Sequence, residues 1–124
     1  MTENLYDQIG PDFIVKAITS FYDKAFEDPI IGHFFMGKDK AALVQKQIDF
    51  ASSMLGGPKN YRGRPLAAVH AELPIRPPHF GRRQVLMREV LEDLGLDKDL
   101  MESWLLLEQK LKPLILSQNQ TCRE

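Results

Sequence analysis

The chain has 124 residues, of which 44% are hydrophobic, and this content suffices for one domain with a single core. A formal net charge of −1 excludes a general electrostatic attraction to nucleic acid or to an anionic membrane. The single cysteine, Cys122, excludes a disulfide framework and a cysteine-rich metal site. No apolar run resembles a signal peptide or a membrane span, and we expect a cytoplasmic protein with one domain over residues 1–116 and a polar tail over residues 117–124.

Helical periodicity dominates the first part of the chain. It predicts a short helix around residues 4–9, a break at Gly10-Pro11, and a second helix that Asp12 caps and that runs to about Glu27. Two apolar stripes mark the expected buried side of the second helix: Phe13, Ala17, Phe21 and Ala25, and Ile14, Ile18, Tyr22 and Phe26.

A compact connection over residues 30–37 follows Asp28-Pro29 and contains the pair Phe34-Phe35. Asp39 is then expected to cap a third helix that ends at Gly56-Gly57-Pro58. The apolar face of this helix consists of Leu43, Gln47, Phe50, Ala51 and Met54.

In the second half of the chain, the spacing of apolar residues predicts one short and two long helices. Residues 59–65 contain glycine and proline breakers and should be irregular, and a short helix should follow over residues 66–73. Pro77-Pro78 should open a helix that ends at Gly95, and Asp97 should cap the last one, which Pro113 can kink. The inward residues of these two helices are Phe80, Leu86, Met87, Val90, Leu91 and Leu94, and Leu100, Trp104, Leu107, Leu111, Leu114 and Ile115. Strand patterns are absent, so the predicted fold is all-α.

Three polar side chains, Tyr22, Gln47 and His70, fall on apolar stripes in three different segments. A buried polar group without a partner costs about 1–3 kcal/mol, so three of them suggest a shared, partly polar cavity. Each one alone also fits a core residue that bonds a backbone carbonyl. For His70, the other interpretation is a metal ligand, because neutral imidazole ligates metals and haem iron.

Zinc is a poor fit to His70, because zinc sites need three or four protein ligands and neither His33 nor His79 has ligand spacing to it. A metal at His70 therefore needs a cofactor that supplies most of the coordination, as haem does. Tyr22 and Gln47 could then donate hydrogen bonds to a ligand of the iron that carries partial negative charge.

Several phenylalanines could hold a planar ring. Phe34-Phe35 can act as an aromatic wedge or simply fill the core under a loop. Phe50 and Phe80 could line the same slot, with ordinary core packing as the alternative.

The ordered set of these residues resembles a truncated haemoglobin, most closely of group I. The resemblance extends from Leu5-Tyr6 to the last helix and rests on Phe21-Tyr22, Phe34-Phe35, Leu43, Gln47, Phe50, Gly56-Gly57, Leu66, His70 and Phe80. It implies a two-over-two helical sandwich around haem b, which would be non-covalent because the chain has no Cys-x-x-Cys-His motif.

The resemblance also implies roles for individual residues. His70 would be the proximal iron ligand, Tyr22 the main distal hydrogen-bond donor with Gln47 beside it, and Leu43 would stand where many globins have a distal histidine. The remaining haem contacts would come from Phe34, Phe35, which would be the wedge, Phe50, Leu66 and Phe80, and from Lys46, which could reach a propionate.

Three positions depart from the family pattern or vary within it. Gly10-Pro11 replaces the usual glycine pair between the first two helices. Arg83 stands where relatives have an apolar residue or tryptophan, so either the register shifts around Pro77-Pro78 or the arginine leaves the pocket for a propionate. Ala51 replaces a phenylalanine of some relatives and suggests less hindered ligand access.

The leading hypothesis is a haem protein that binds O2, NO or CO reversibly. NO dioxygenation and peroxidase-like turnover would use the same site, and dioxygenation would need a separate reductase, so enzymatic activity stays open. One alternative is a cofactor-free helical module in which six arginines between Arg62 and Arg88 bind an acidic partner, although those arginines also fit a solvated face. A haem-based gas sensor is a further alternative.

Overall fold

Every regular element in the described part of the chain is helical. The computed structural model describes residues 4–58 and 76–112, and the all-α prediction is confirmed there. The elements in chain order are α1 (Leu5–Ile9), α2 (Pro11–Glu27), a 3-10 turn (Gly32–Phe35), α3 (Lys40–Met54), α4 (Pro77–Asp93) and α5 (Lys98–Lys110). None of the helices in these two ranges is both long and apolar enough to cross a membrane.

Several predictions fall on residues outside the described ranges. They concern the short helix over residues 66–73 with Leu66 and His70, the kink at Pro113, and the tail over residues 117–124.

The corner between α1 and α2 is built by Gly10-Pro11. Gly10 has φ 94°, a value that favours glycine, and its backbone N–H donates to the Tyr6 carbonyl at 2.8 Å. The prediction that Asp12 caps α2 is wrong, because Gly10 is the N-cap and Asp12 lies in the first turn. Proline suits the first helical position, so the helix begins one residue before Asp12, whose carboxylate still faces the positive end of the helix dipole.

The caps of α3 and α5 are those that the sequence predicts. The Asp39 carboxylate accepts from the Ala42 N–H at 3.2 Å. The Asp97 carboxylate accepts from the N–H groups of Asp99 and Leu100 at 3.0 and 3.3 Å. These bonds satisfy backbone donors that have no partner within the helix and so fix where each helix starts.

The core forms around α2, which contacts α1, α3, α4 and the 3-10 turn. Six of the eight residues in its two predicted stripes are buried: Ile14, Ala17, Ile18, Phe21, Tyr22 and Ala25. The other two, Phe13 and Phe26, are half-buried and packed against the core. The buried residues of α4 and α5 are Phe80, Leu86, Met87, Val90 and Leu91, and Met101, Trp104, Leu105 and Glu108. Leu94, expected to point inward, is instead 36% exposed, because it is the C-cap of α4 and no longer follows the buried side of the helix.

The 3-10 turn packs directly on the end of α2. A Cβ atom at Gly32 would lie 2.9 Å from the Phe26 carbonyl oxygen, so only glycine permits this approach. The Asp28 carboxylate accepts from the N–H groups of Ile30 and Ile31 at 3.0 and 3.1 Å and holds the connection. The turn thereby brings Phe35 against the aromatic residues of α2.

Candidate functional site

Tyr22 lies in an aromatic cluster on the inner side of α2. Its side chain is 6% exposed, and its ring meets the rings of Phe21 and Phe35 edge to face at centroid distances of 4.9 and 5.7 Å. Phe26 stacks on Phe35 at 4.9 Å and completes the cluster. The edge-to-face geometry is favourable for aromatic pairs and fixes the orientation of the phenol.

The Tyr22 hydroxyl stays protonated at neutral pH. Burial raises the pKa of Tyr22 to about 12, and the neighbouring Arg83 guanidinium offsets part of that rise. A neutral phenol can donate one hydrogen bond, so Tyr22 is a hydrogen-bond donor over the physiological range.

Arg83 on α4 forms an ion pair with Glu108 on α5 beside Tyr22. Arg83 Nη1 lies 2.7 Å from Glu108 Oε1, and the side chains are 24% and 6% exposed. The indole Nε1 of Trp104 donates to the other oxygen, Glu108 Oε2, at 2.9 Å. The guanidinium lies over the Phe21 ring at 4.8 Å, and its positive charge lowers the pKa of the neighbouring Tyr22 against the larger effect of burial. Arg83, Glu108 and Trp104 thus form one hydrogen-bonded network next to the aromatic cluster.

The structure gives Arg83 a partner that neither expectation from the sequence named. α4 opens at Pro77 and buries Phe80, as predicted. Arg83 donates to Glu108, a carboxylate on the adjacent helix that compensates its charge inside the protein. Sequence reasoning missed Glu108, although it lies four residues after Trp104 and therefore on the same helix face.

The site residues expected from α3 differ in their exposure to solvent. Ala51 is the only residue of α3 that is buried, whereas Leu43, Gln47 and Phe50 are half-buried and Lys46 is exposed. Gln47 precedes Ala51 by four residues and so shares its face of the helix. α3 packs on α2, which carries Tyr22.

Two further phenylalanines expected at the site differ in burial. Phe80 is buried, and Phe34 is half-buried between two imidazoles. The ring centroids of His33 and His79 lie 4.1 and 5.0 Å from that of Phe34. His79 Nδ1 accepts from the Arg76 N–H at 3.0 Å, and burial together with the nearby His33 and Arg76 lowers the pKa of His79. His79 therefore acts at the start of α4 as a capping residue.

Two further arginines of α4 also bind carboxylates. Arg82 donates to Asp28 Oδ1 through Nε at 2.9 Å and through Nη2 at 2.7 Å. This hydrogen bonding, against the opposing effect of burial, holds the pKa of Asp28 below its usual range. Arg88 pairs with Glu102 on α5 at 2.8 Å. With Arg83, three of the six arginines between Arg62 and Arg88 therefore have carboxylate partners within the protein.

The described residues suit a haem. Half-buried apolar side chains of α3 and the 3-10 turn offer surface that a flat hydrophobic ring would cover, and the ring of Tyr22, a neutral donor, contacts Phe35 of that turn. The parts of the chain that the structure describes contain no group of three or more histidine, cysteine or acidic residues that could hold a metal ion.

Comparisons with known proteins agree with this geometry. A family model described as bacterial-like globin matches residues 4–116. A group 1 truncated haemoglobin of Tetrahymena pyriformis is 29% identical over 94 residues, which cover 75% of this chain and 78% of that protein. The group 1 truncated haemoglobin GlbN of Mycolicibacterium paratuberculosis is 34% identical over 79 residues, which cover 63% of this chain and 58% of that protein.

Solved structures have the same fold. The truncated haemoglobin of Tetrahymena pyriformis in its Fe(III) form superposes with a TM-score of 0.89 at 23% identity and covers 94% of this chain and 100% of its own. The truncated oxygen-avid haemoglobin of Bacillus subtilis superposes with a TM-score of 0.82 at 24% identity and covers 91% of this chain and 99% of its own. The chain therefore belongs to the bacterial-like globin family, as a group I truncated haemoglobin with the two-over-two helical fold.

Proposed function

We propose that this truncated haemoglobin binds O2 reversibly at a haem b, with His70 as the proximal iron ligand and Tyr22 as the distal hydrogen-bond donor. Membership in the globin family supports the haem and the binding of diatomic gases in general. The assignment of His70 rests on the sequence, because this residue lies outside the described ranges. When bound, the haem iron supplies the coordination position for the gas.

The chain's own residues would hold the ring by apolar contact. Leu43 on α3 and Phe34 and Phe35 in the 3-10 turn are half-buried and packed against the core, and Phe50 on α3 is half-buried. Apolar side chains of this kind exclude water and strengthen any hydrogen bond made inside the pocket. Phe80 and Leu66 would add contacts on the proximal side, and the exposed Lys46 would reach a propionate.

The observation that carries the proposal is the buried, neutral phenol of Tyr22. The haem would place partial negative charge on a bound gas ligand, and the Tyr22 hydroxyl would stabilise that charge by donating a hydrogen bond. A hydrogen bond to a charged acceptor contributes about 1.5–3 kcal/mol, which corresponds to roughly one to two decades in a dissociation rate. Gln47 lies on the face of α3 that packs toward α2 and would be the second donor.

Haem titration tests the cofactor and its ligand. Purified protein should develop a Soret band with haem, and His70→Ala should lose it or shift it strongly. His33→Ala is the matched control, because His33 is exposed and packs on Phe34 at 4.1 Å, and it should leave the spectrum unchanged. If the protein leaves the absorption spectrum of the added haem unchanged, the result would support the cofactor-free module instead.

Tyr22→Phe tests the distal donor. This change removes the hydroxyl and keeps the ring, so the edge-to-face contacts with Phe21 and Phe35 are retained. We expect the O2 dissociation rate in stopped-flow measurements to rise at least about tenfold. An unchanged rate would assign the donor role to Gln47 or to water.

A further inference from the structure

His79 completes the hydrogen bonding at the start of α4, a helix that opens with two prolines. Pro77 and Pro78 have no N–H to donate. The next two N–H groups, those of His79 and Phe80, donate to the Arg76 carbonyl at 2.9 and 3.2 Å. The N–H of Arg76 itself donates to His79 Nδ1 at 3.0 Å. The imidazole therefore binds the backbone donor that immediately precedes the helix.

The same imidazole joins α4 to the 3-10 turn. Its ring is half-buried and meets the Phe34 ring edge to face at a centroid distance of 5.0 Å. The residue after it, Phe80, is 3% exposed. Phe34 and Phe80 are both expected to contact the haem, so His79 lies between two residues that are proposed to hold the ring.

Only a neutral imidazole can make this cap. Nδ1 accepts through a lone pair, and a proton added there removes the acceptor for the Arg76 N–H. The new charge would also lie at the positive end of the α4 dipole. The ring of His33 on the 3-10 turn is another basic neighbour, at a centroid distance of 5.8 Å. Protonation therefore weakens the helix start through a lost bond and through repulsion.

The charged groups on the neighbouring elements do not compensate an imidazolium. In the described part of the chain, these groups are the ion pairs Arg82–Asp28 and Arg83–Glu108, each at 2.7 Å, and the amine of Lys112 over the Phe80 ring. Burial, followed by the charges of His33 and Arg76, lowers the pKa of His79 from its usual value of 6.5. The contribution of neutral His79 to stability is thus present above pH 6.5 and is lost as the pH falls through the lower, folded-state pKa.

We propose that His79 is an acid-sensitive switch of the haem pocket: neutral, it fixes the start of α4 against the 3-10 turn, and protonated, it releases that start and speeds the loss of haem. This inference rests on the proposed function, because it assumes that Phe34 and Phe80 contact the haem. It adds a dependence of haem retention on pH.

His79→Gln tests the switch, because a glutamine at this helix position can accept from the same backbone N–H and carries no charge. Haem loss from the haem-loaded protein would be measured by transfer to excess apomyoglobin, between about pH 7.5 and about pH 5. The two proteins should lose haem at similar rates at the upper end, and the wild type should become about fivefold faster than the variant at the lower end. Protonation of the proximal histidine also releases haem in acid, but it acts in both proteins and cancels in the comparison.

The backbone amide of Arg76 gives a second readout that a merely structural role would not move. In NMR titrations, its proton shift should follow the protonation of the His79 ring in the wild type and stay constant in His79→Gln. His33→Gln should raise the pKa of His79, since it removes a basic neighbour, and should reduce the acid acceleration of haem loss. If His79→Gln does not fold, His33→Gln decides instead, because an unchanged acid profile in that variant would contradict the switch.

The outcomes separate the two proposals. Parallel haem-loss profiles of the wild type and His79→Gln overturn the switch and leave haem binding intact. An Arg76 amide that does not follow the protonation of His79 also overturns it, because the cap would not be the titrating contact. A chain that takes up no haem overturns the proposed function and the switch together.

Discussion

Two ion pairs join α4 to α5, and they differ chiefly in their access to water. Arg83–Glu108 and Arg88–Glu102 have N–O distances of 2.7 and 2.8 Å. The side chains of the first pair are 24% and 6% exposed, and those of the second are 44% and 47% exposed. The first also contacts Trp104 and Phe21, whereas the second lies among surface side chains.

Ion pairs with similar N–O distances therefore differ in their energetic effect according to how far they are buried. An exposed ion pair is screened by water and salt and contributes little to stability. A buried pair is expensive to desolvate, and its partners depend on each other once they are inside. We therefore expect the Arg83–Glu108 pair to determine the arrangement around Tyr22, and the Arg88–Glu102 pair to be dispensable.

The largest loss in the free energy of unfolding is expected for Arg83→Met. It leaves the Glu108 carboxylate buried without its charged partner, and breaking a buried pair in this way costs about 3–5 kcal/mol. Urea denaturation followed by far-ultraviolet circular dichroism would measure the loss in the free energy of unfolding. Arg83→Met/Glu108→Gln should recover most of the loss, and a double variant no more stable than the single one would show that packing, rather than charge, is responsible.

An intermediate loss in the free energy of unfolding is expected for Asp28→Asn. This change disrupts the ion pair between Arg82 on α4 and Asp28 at the end of α2. The Asp28 side chain is 3% exposed and accepts from Arg82, Ile30 and Ile31. Because the pKa of Asp28 is lowered in the folded state, its contribution is present above the usual value of 3.8 and is lost as the pH falls through the lower, folded-state value.

Unfolding curves at a series of pH values from neutral to acid would test this dependence. The free energy of unfolding of the wild type should fall more steeply below the usual aspartate pKa than that of Asp28→Asn. Parallel curves for the two proteins would contradict the assignment of the acid dependence to Asp28.

The smallest change in stability is expected for Arg88→Met. The pKa of Glu102 is lowered by its hydrogen bonds with Arg88, but both side chains are exposed and water replaces the lost contact. The urea midpoint at moderate salt should stay within the scatter of wild-type measurements, and the O2 dissociation rate should not change. A loss approaching that of Arg83→Met would remove the distinction between the two pairs.

Local signals in the sequence predicted much of the fold. The 3.6-residue periodicity of α2 placed Tyr22 on the buried side, because helix geometry alone assigns positions to faces. Asp39 and Asp97 were correctly predicted as caps, since the side chain and the N–H groups that it binds are within three residues. Asp12 was not, because Pro11 moved the start of the helix.

Contacts between distant residues were not predictable in this way. Arg83 and Glu108 are separated by 25 positions, and nothing in the local sequence indicates that their side chains meet. The same holds for Arg82 and Asp28, which are 54 positions apart. Helix periodicity places Glu108 on the same face of α5 as Trp104. It does not indicate which charged side chain of another helix will contact Glu108.

The sequence by itself determined the helical class, the caps of α3 and α5 and the order of aromatic and polar residues that identifies the family, because each depends on neighbours along the chain. The tertiary structure decided that Arg83 of α4 pairs with Glu108 of α5, whose other carboxylate oxygen accepts from Trp104. The physical reason is that charges are buried only where folding brings their partners together, and that condition depends on the packing of whole helices.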